Sequence, residues 1–177
     1  GPDDIGFYKN EDNNIQLGHT RLAIIDLSKS ASQPMIDKIN QNIIIFNGEI
    51  YNFEFLKKKF LDDTEFNSNS DTEVLLRLYN LLGTDMLKYL DGIFAFAIYD
   101  NKTKEVFLVR DHYGIKPIYY IELPNQFYFA SEPKALINII SDLKDINYQA
   151  ITNYLTFQWS PGNQTPLKKL NKLGPGE

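Results

Sequence analysis

Four short groups of polar residues stand at the ends of apolar runs or at a predicted helix start, and their side chains could bind a small charged ligand. They are Arg21 in GHTRL, Asn47-Gly48-Glu49 in FNGEIYNF, Asp71 in SDTEV and Arg110-Asp111 in RDHYGIKPIYY. A guanidinium offers a planar fork to a carboxylate, and a carboxylate accepts hydrogen bonds from an ammonium. These residue types suit a zwitterionic ligand.

The Asn-Gly pair at positions 47 and 48 has two interpretations. It follows the strand-like run Ile43–Phe46, and an Asn-Gly pair in that position is a strong signal for a tight hairpin turn. The residues after Glu49 lead into a helical pattern and not into a return strand. The alternative is a turn that presents the Asn47 amide and the Gly48 N–H, two donors that converge on one point as an oxyanion requires.

The other candidates also have structural interpretations. Asp71 suits a helix start because the helix dipole favours a carboxylate there, and Arg21 and Arg110 could each form a surface ion pair. His19 fits a strand-end hydrogen bond better than a catalytic base. Only one other histidine, His112, is present and there is no cysteine, so we expect no metal site.

The composition is that of an ordinary globular protein with an acidic balance. The chain has 177 residues, of which 43% are hydrophobic, and this is enough for a full core. A formal net charge of −5 argues against nucleic acid and anionic membranes as partners. No apolar run approaches the roughly 18 residues of a membrane span, so we expect a cytoplasmic protein.

Local patterns predict a mainly antiparallel sheet with helices. The Ser-x-x-Glu sequence at residues 70–73, apolar residues at helical spacing and Gly83 predict a helix, with others over 54–61 and 132–140. The strand and hairpin predictions are 15–27, 42–46, 92–100 with 105–111, and 118–123 with 126–131. Ile93 to Ile98 show no alternation, which predicts a strand covered on both faces by further layers.

Eight segments occur along the chain in the order GPDDIGFY, LGHTRLAIIDLS, QPM, FNGEIYNF, SDTEVLLRLY, LDGIFAFAIYD, VRDHYGIKPIYY and FASEPKAL. In this order they closely resemble the glutamine amidotransferase domain of glutamine-hydrolysing asparagine synthetases. Related amidotransferases that make phosphoribosylamine or glucosamine phosphate share the Asn-Gly and Asp elements. The combination of NGEIYN with RDHYGIKPIYY is similar to the asparagine synthetase branch.

The resemblance implies an α+β fold, the four-layer αββα N-terminal-nucleophile hydrolase sandwich, with two antiparallel sheets between helices. In that family an N-terminal cysteine attacks the glutamine side-chain amide, and its own α-amine acts as the base. The ammonia then travels to a second domain where ATP activates aspartate. The implied partners are glutamine and a synthetase domain in the same chain, with a homodimer as an open option. ATP and Mg²⁺ are implied for that synthetase domain and no cofactor for these residues.

The resemblance also assigns roles to individual residues. Arg21 matches the arginine that holds the glutamine carboxylate, and Leu22 and Ile25 match residues that line the pocket through backbone contacts. Asn47 and Gly48 match the oxyanion donors. Glu49 and Asp71 match the groups that face the α-amino end of the substrate.

The chain departs from the family at both ends. The Met-Cys-Gly start and first strand of the family would precede Gly1, so residues 1–144 are interpreted as an amidotransferase domain without its nucleophile and N-terminal strand. Residues 145–177 are interpreted as a linker and the start of a synthetase domain. We expect the glutaminase half of an asparagine synthetase, inactive as given. The alternatives are an amidotransferase with a different acceptor and a glutamine-binding module that lacks a nucleophile.

Overall fold

The computed structural model describes residues 1–12, 14–137 and 145–177. It divides into two compact units, residues 1–108 and residues 109–177. The first unit contains every residue to which the resemblance assigns a role in glutamine binding. The predicted boundary at residue 144 stays a prediction.

The first unit combines two antiparallel strand arrangements with two helices. β1 (Asp4–Lys9) pairs with β2 (Gln16–Arg21), and a four-stranded sheet has the order β3-β4-β5-β6. Its strands and the helices of this unit are β3 (Met35–Ile36), β4 (Ile43–Ile50), α1 (Phe53–Phe60), α2 (Asp71–Leu82), β5 (Gly92–Asp100) and β6 (Glu105–Arg110). The last two residues of β6 fall in the second unit.

The central strand β5 is covered on both faces, as the sequence predicts. Every side chain from Phe94 to Tyr99 is buried. β4 pairs along its whole length with residues 92–99 of β5, so that Phe46 lies opposite Phe96, and α2 lies against β4. The predicted hairpin from β5 to β6 around residues 101–104 is also confirmed.

Helix α2 begins and ends where the sequence predicts. The Ser70 hydroxyl accepts the N–H of Glu73 at 3.3 Å, and the helix ends at Gly83, which has a φ of 58°. The Glu73 carboxylate binds the backbone N–H groups of Asn67 and Ser68 at 2.7 to 3.1 Å. Those bonds fix the loop that leads into α2 and hence the position of Asp71.

The Asn-Gly pair does not form a turn, and both turn interpretations of it are wrong. β4 runs through Asn47 and Gly48 to Ile50 and stays paired with β5. A Cβ atom on Gly48 would lie 2.1 Å from the Ile93 carbonyl oxygen, and the φ of Gly48 is 152°. The glycine is therefore required by the close approach of β5, a contact between residues far apart in the sequence.

The strand predicted over residues 15–27 is shorter in the structure. β2 ends at Arg21, and residues 22–28 form a loop that exposes Leu22, Ile24 and Leu27. The Arg21 side chain binds two carbonyl groups of this loop. These backbone groups bind a side chain instead of a neighbouring strand, and apolar content alone does not reveal that arrangement.

The second unit contains a three-stranded sheet in the order β8-β7-β9 with two helices. The elements are β7 (Tyr119–Leu123), β8 (Gln126–Ala130), α3 (Pro133–Ile137), α4 (Tyr148–Phe157) and β9 (Asn171–Lys172). The predicted hairpin is confirmed. The helix predicted over 132–140 appears as α3, and residues 138–140 lie outside the described residues. Among the described helices none has the length and apolarity to cross a membrane.

The close approach at Gly48 predicts a large loss of stability in Gly48→Ala. We expect the free energy of unfolding to fall by about 3 kcal/mol, because the added methyl group meets β5 backbone that cannot move aside easily. Gly83→Ala is the control, since Gly83 has a positive φ but open space around it, and backbone strain alone should cost about 1–2 kcal/mol. Urea unfolding of both variants tests this, and equal losses would contradict the steric account.

Candidate functional site

Among the described residues, one edge of β4 has no strand partner beyond Ile43 and Ile44, and the predicted site residues Asn47, Gly48 and Glu49 lie along this part of β4. β5 covers one side of β4, whereas β3 on the other side pairs only with Ile43 and Ile44. Backbone N–H groups of a strand alternate in direction, so those of Phe46, Gly48 and Ile50 point to the open edge.

Two of these three N–H groups are bound by side chains. Gln33 Oε1 accepts the N–H of Phe46 at 2.6 Å, and Asp71 Oδ2 accepts the N–H of Ile50 at 3.1 Å. The Gly48 N–H lies between them and points to the same side. The side chains of Asn47 and Glu49 are both exposed and, two residues apart, share one face of β4.

Asp71 is a buried carboxylate with a second carboxylate nearby. Burial raises the pKa of Asp71, hydrogen bonds from the Ile50 and Thr72 backbone oppose that shift, and the charge of Glu49 adds to it. The residue is 4% exposed. Two carboxylates in this position create a negative site, which favours an ammonium group as a ligand.

Arg21 is buried at the end of β2 and holds the loop that follows. Its guanidinium donates to the carbonyl of Ser28 at 2.9 Å and to that of Asp26. These bonds occupy two of its five N–H groups. Leu22 and Ile25, the predicted lining residues, lie on this loop with exposures of 60% and 38%.

The Asp26 carboxylate joins this loop to the start of α2. It accepts the N–H of Ser28 and the N–H of Asn69, each at 2.7 Å. Hydrogen bonds, first that of the Ser28 side chain, lower the pKa of Asp26, so its carboxylate stays ionised. A polar cleft of about 440 Å³ lies here, with Asp26, Ser28 and Asn69 among its lining residues.

Together these contacts form a closed ring around the predicted site. His19 on β2 donates from Nε2 to the Phe46 carbonyl of β4 at 3.1 Å. β4 is bound to α2 through Ile50 and Asp71. Asn69, two residues before α2, binds Asp26 of the loop, and Arg21 binds the loop to β2. The structure therefore brings Arg21, Asn47-Gly48, Glu49 and Asp71 into one connected arrangement.

Arg110 and Asp111 have a different role from the one their types suggest. The Arg110 guanidinium donates to the carbonyls of Lys116 and Leu173, at 2.8 and 2.6 Å, and to that of Gly114. Asp111 is fully buried and accepts backbone N–H groups of the same loop. These bonds stabilise the RDHYGIKP loop within the second unit, and we assign the pair no ligand.

The sequence interpretation missed Asp26, which is part of the ring, and Gln33, which binds β4 beside it. Gln33 lies in the QPM segment, where a glutamine before a proline gave no indication of its partner thirteen residues later. His19 makes a hydrogen bond to the backbone, as expected, but from within β2 (Gln16–Arg21) and not from its end. Within the described ranges, no group of three or more His, Cys, Asp or Glu side chains is placed to hold a metal ion.

The sequence of the chain matches one protein family and several named relatives. The sequence model of the family described as "glutamine amidotransferase domain" matches residues 1–177. The chain is 39% identical to putative asparagine synthetase 2 (glutamine-hydrolyzing) of Methanocaldococcus jannaschii, over 98% of this chain. It is 37% identical to asparagine synthetase 1 (glutamine-hydrolyzing) of Bacillus subtilis, over 99% of this chain. The chain spans 37% and 27% of the lengths of these two relatives.

A solved structure also matches. Glutamine phosphoribosylpyrophosphate amidotransferase from B. subtilis superimposes with a TM-score of 0.58 at 26% identity, over 68% of this chain and 28% of that one. The predicted fold class, α+β of the N-terminal-nucleophile hydrolase type, is confirmed by this match.

The opposite pKa shifts of two carboxylates in α2 predict opposite effects of pH on stability. Burial raises the pKa of Asp71 in the folded state. Above the usual aspartate pKa the folded state therefore binds more protons than the unfolded state, and the free energy of unfolding falls as pH rises. The Asp71→Asn variant lacks this loss of stability at higher pH. The free energy of unfolding of the variant minus that of the wild type should therefore increase from pH 4 to pH 7.

Glu73→Gln is the matched control. Burial acts to raise the pKa of Glu73, but hydrogen bonds from Asn67 and Ser68 outweigh it and lower the pKa. Glu73 therefore contributes stability above the usual glutamate pKa that is lost at lower pH, and the variant should lose stability relative to the wild type as pH rises. Urea unfolding at several pH values tests both signs, and the same sign for both variants would contradict this account.

Proposed function

The chain belongs to the glutamine amidotransferase family, and from this premise we propose that its site binds L-glutamine for hydrolysis of the side-chain amide. The observation that carries the proposal is the closed ring, since it joins a guanidinium, a pair of carboxylates and a free strand edge within the first unit. These are the three elements needed for the carboxylate, the ammonium and the reacting amide of glutamine.

The two charged ends of the substrate are recognised by opposite charges. The Arg21 guanidinium donates two of its five N–H groups to the carbonyls of Asp26 and Ser28. The other three can bind the substrate carboxylate, which fits the planar fork of a guanidinium. Asp71 and Glu49 accept the α-ammonium group. A bound ammonium also offsets the cost of keeping the Asp71 carboxylate buried and ionised.

The strand edge of β4 stabilises the transition state. Attack on the amide carbon places negative charge on the amide oxygen, and the Gly48 N–H and the Asn47 side-chain amide donate hydrogen bonds to it. A donor of this kind is worth about 3 kcal/mol in other enzymes. Both donors belong to residues whose backbone is paired with β5, so the backbone that carries them needs little rearrangement when the charge develops.

The attacking group is not among these residues. The resemblance assigns the attack to an N-terminal cysteine with its α-amine as base, and the 177 residues include no cysteine. We therefore expect these residues alone to bind glutamine without releasing ammonia from it.

The ammonia would be used by an asparagine synthetase reaction. The two relatives named above are called glutamine-hydrolysing asparagine synthetases, which supports asparagine synthesis and a synthetase domain as the partner. Aspartate as the acceptor and the cytoplasm as the location are part of the same proposal. Residues 145–177 would lead towards that domain. ATP and Mg²⁺ belong to that second reaction, and we assign them no residue of this chain.

The proposal predicts that Asp71→Asn in the complete gene product impairs glutamine use far more than ammonia use. Loss of the charge that pairs with the substrate ammonium should cost on the order of thirtyfold in glutamine kcat/KM, about 2 kcal/mol. Steady-state asparagine synthesis with each nitrogen source measures this.

A matched control is Asp37→Asn. Asp37 is as buried as Asp71 but forms an ion pair with Arg77 at 2.7 Å. This variant should affect both nitrogen sources equally through stability alone. If Asp71→Asn also affects both equally, Asp71 is only a structural carboxylate at the start of α2.

The oxyanion assignment predicts opposite kinetic effects at two positions. Asn47→Ala should lower glutaminase kcat roughly a hundredfold with little change in KM, because the donor acts mainly on the developing charge. Arg21→Lys should mainly raise KM, since a point charge loses the bidentate fork. Ammonia release at varied glutamine concentration separates the two. A rise in KM with unchanged kcat in Asn47→Ala would overturn the assignment.

A further inference from the structure

Two side chains that the proposed chemistry does not use bind the backbone of one residue beside the oxyanion donors. Gln33 Oε1 accepts the Phe46 N–H at 2.6 Å, and His19 Nε2 donates to the Phe46 carbonyl at 3.1 Å. Phe46 immediately precedes Asn47. Both backbone groups of one strand residue are therefore held by side chains, and we call His19 and Gln33 the Phe46 clamp.

Gln33 also reaches α2. Its Nε2 donates to the hydroxyl of Thr72 at 3.4 Å, and both residues are buried. Asp71, the neighbour of Thr72, binds the N–H of Ile50. The first turn of α2 is thus joined to β4 on both sides of Gly48, at Phe46 through Gln33 and at Ile50 through Asp71.

The hydrogen bond to the Phe46 carbonyl determines which ring nitrogen of His19 carries the proton. A carbonyl only accepts, so Nε2 carries the hydrogen and the ring is a donor there. Nδ1 is buried without a hydrogen-bond partner among the described residues. Burial lowers the pKa of His19, which keeps the ring neutral at pH 7.

Close backbone packing limits movement of the two residues of the Phe46 clamp. Gly6 lies opposite His19 in the pairing of β1 with β2. A Cβ atom on Gly6 would lie 2.0 Å from the carbonyl oxygen of Gln33. β1 therefore packs directly on the backbone that carries Gln33, and both clamp residues are fixed within one packed region.

We propose that His19 and Gln33 are positioning residues that fix the two peptide groups flanking Phe46 and through them the direction of the Gly48 N–H. The inference rests on the proposed function, because the direction of that N–H matters only if it binds the oxyanion. Rotation of the strand edge would misplace a donor that acts in the transition state. The loss should appear in kcat and not in KM.

Three variants in the complete gene product test the clamp. His19→Met and Gln33→Met keep the side-chain length but remove the hydrogen bonds to Phe46. We expect glutaminase kcat to fall on the order of ten- to a hundredfold in each, with KM little changed. His19→Gln places an amide N–H close to the position of Nε2, and it should restore most of the lost kcat. Loss of kcat in His19→Gln equal to that in His19→Met would overturn the proposal.

Asn42→Leu is the matched control for lost stability. Asn42 is buried just before β4 and binds Asn80 at 2.8 Å and the Asn101 N–H at 2.9 Å. It therefore anchors the opposite end of the same strand. We expect a lowered Tm with unchanged kcat. A drop in kcat as large as that of the Met variants would show that His19 and Gln33 act only through stability.

A measurement without glutamine separates the clamp from the proposed function. In the 177-residue chain, Gln33→Met should speed hydrogen exchange of the Phe46 amide and shift the Gly48 amide resonance, whereas Asn42→Leu should do neither. Unchanged Phe46 protection in Gln33→Met would contradict the clamp. Absence of glutaminase activity in the wild-type gene product would instead contradict the proposed function.

Discussion

The unpaired edge of β4 is the constraint on which the site depends. A strand edge inside a folded protein must satisfy its N–H and carbonyl groups, and β3 is too short to do so beyond Ile44. Side chains from β2, from the segment before β3 and from α2 supply the missing partners. They leave the Gly48 N–H between two bound neighbours. The same bonds that satisfy the strand also hold the backbone around the Gly48 N–H, which we propose as an oxyanion donor.

This arrangement places costly groups at the site. Gly48 gives up the side-chain packing of a normal strand residue so that the β5 backbone can approach. Asp71 is an ionisable group in a buried position with a raised pKa. Costs of this kind are typical of functional sites, where binding and not folding is optimised. The pairing of Asp71 with Glu49 has no evident benefit to the fold alone.

Some of this structure follows from local sequence and some does not. The hairpin of β5 and β6, the start and end of α2 and the buried strand β5 follow from turn residues, a capping Ser70 and an unbroken apolar run. The turn predicted at the Asn-Gly pair was wrong because Gly48 is required by the close approach of β5, which lies more than forty residues away in the sequence. The hydrogen bonds of Gln33 and His19 to Phe46 and of Asp26 to Asn69 also join distant residues, 13, 27 and 43 positions apart. Their residue types did not reveal them, and the site roles came from the family resemblance.

The most direct test of the account is to map glutamine binding on the chain itself. The 177-residue chain, labelled with ¹⁵N, is titrated with L-glutamine, and D-glutamine serves as the stereochemical control. The account predicts a saturable shift of the Gly48 and Asn47 amide resonances with L-glutamine only, and its loss in Asp71→Asn. An equal response to D-glutamine, or shifts that avoid β4 and persist in Asp71→Asn, would contradict it.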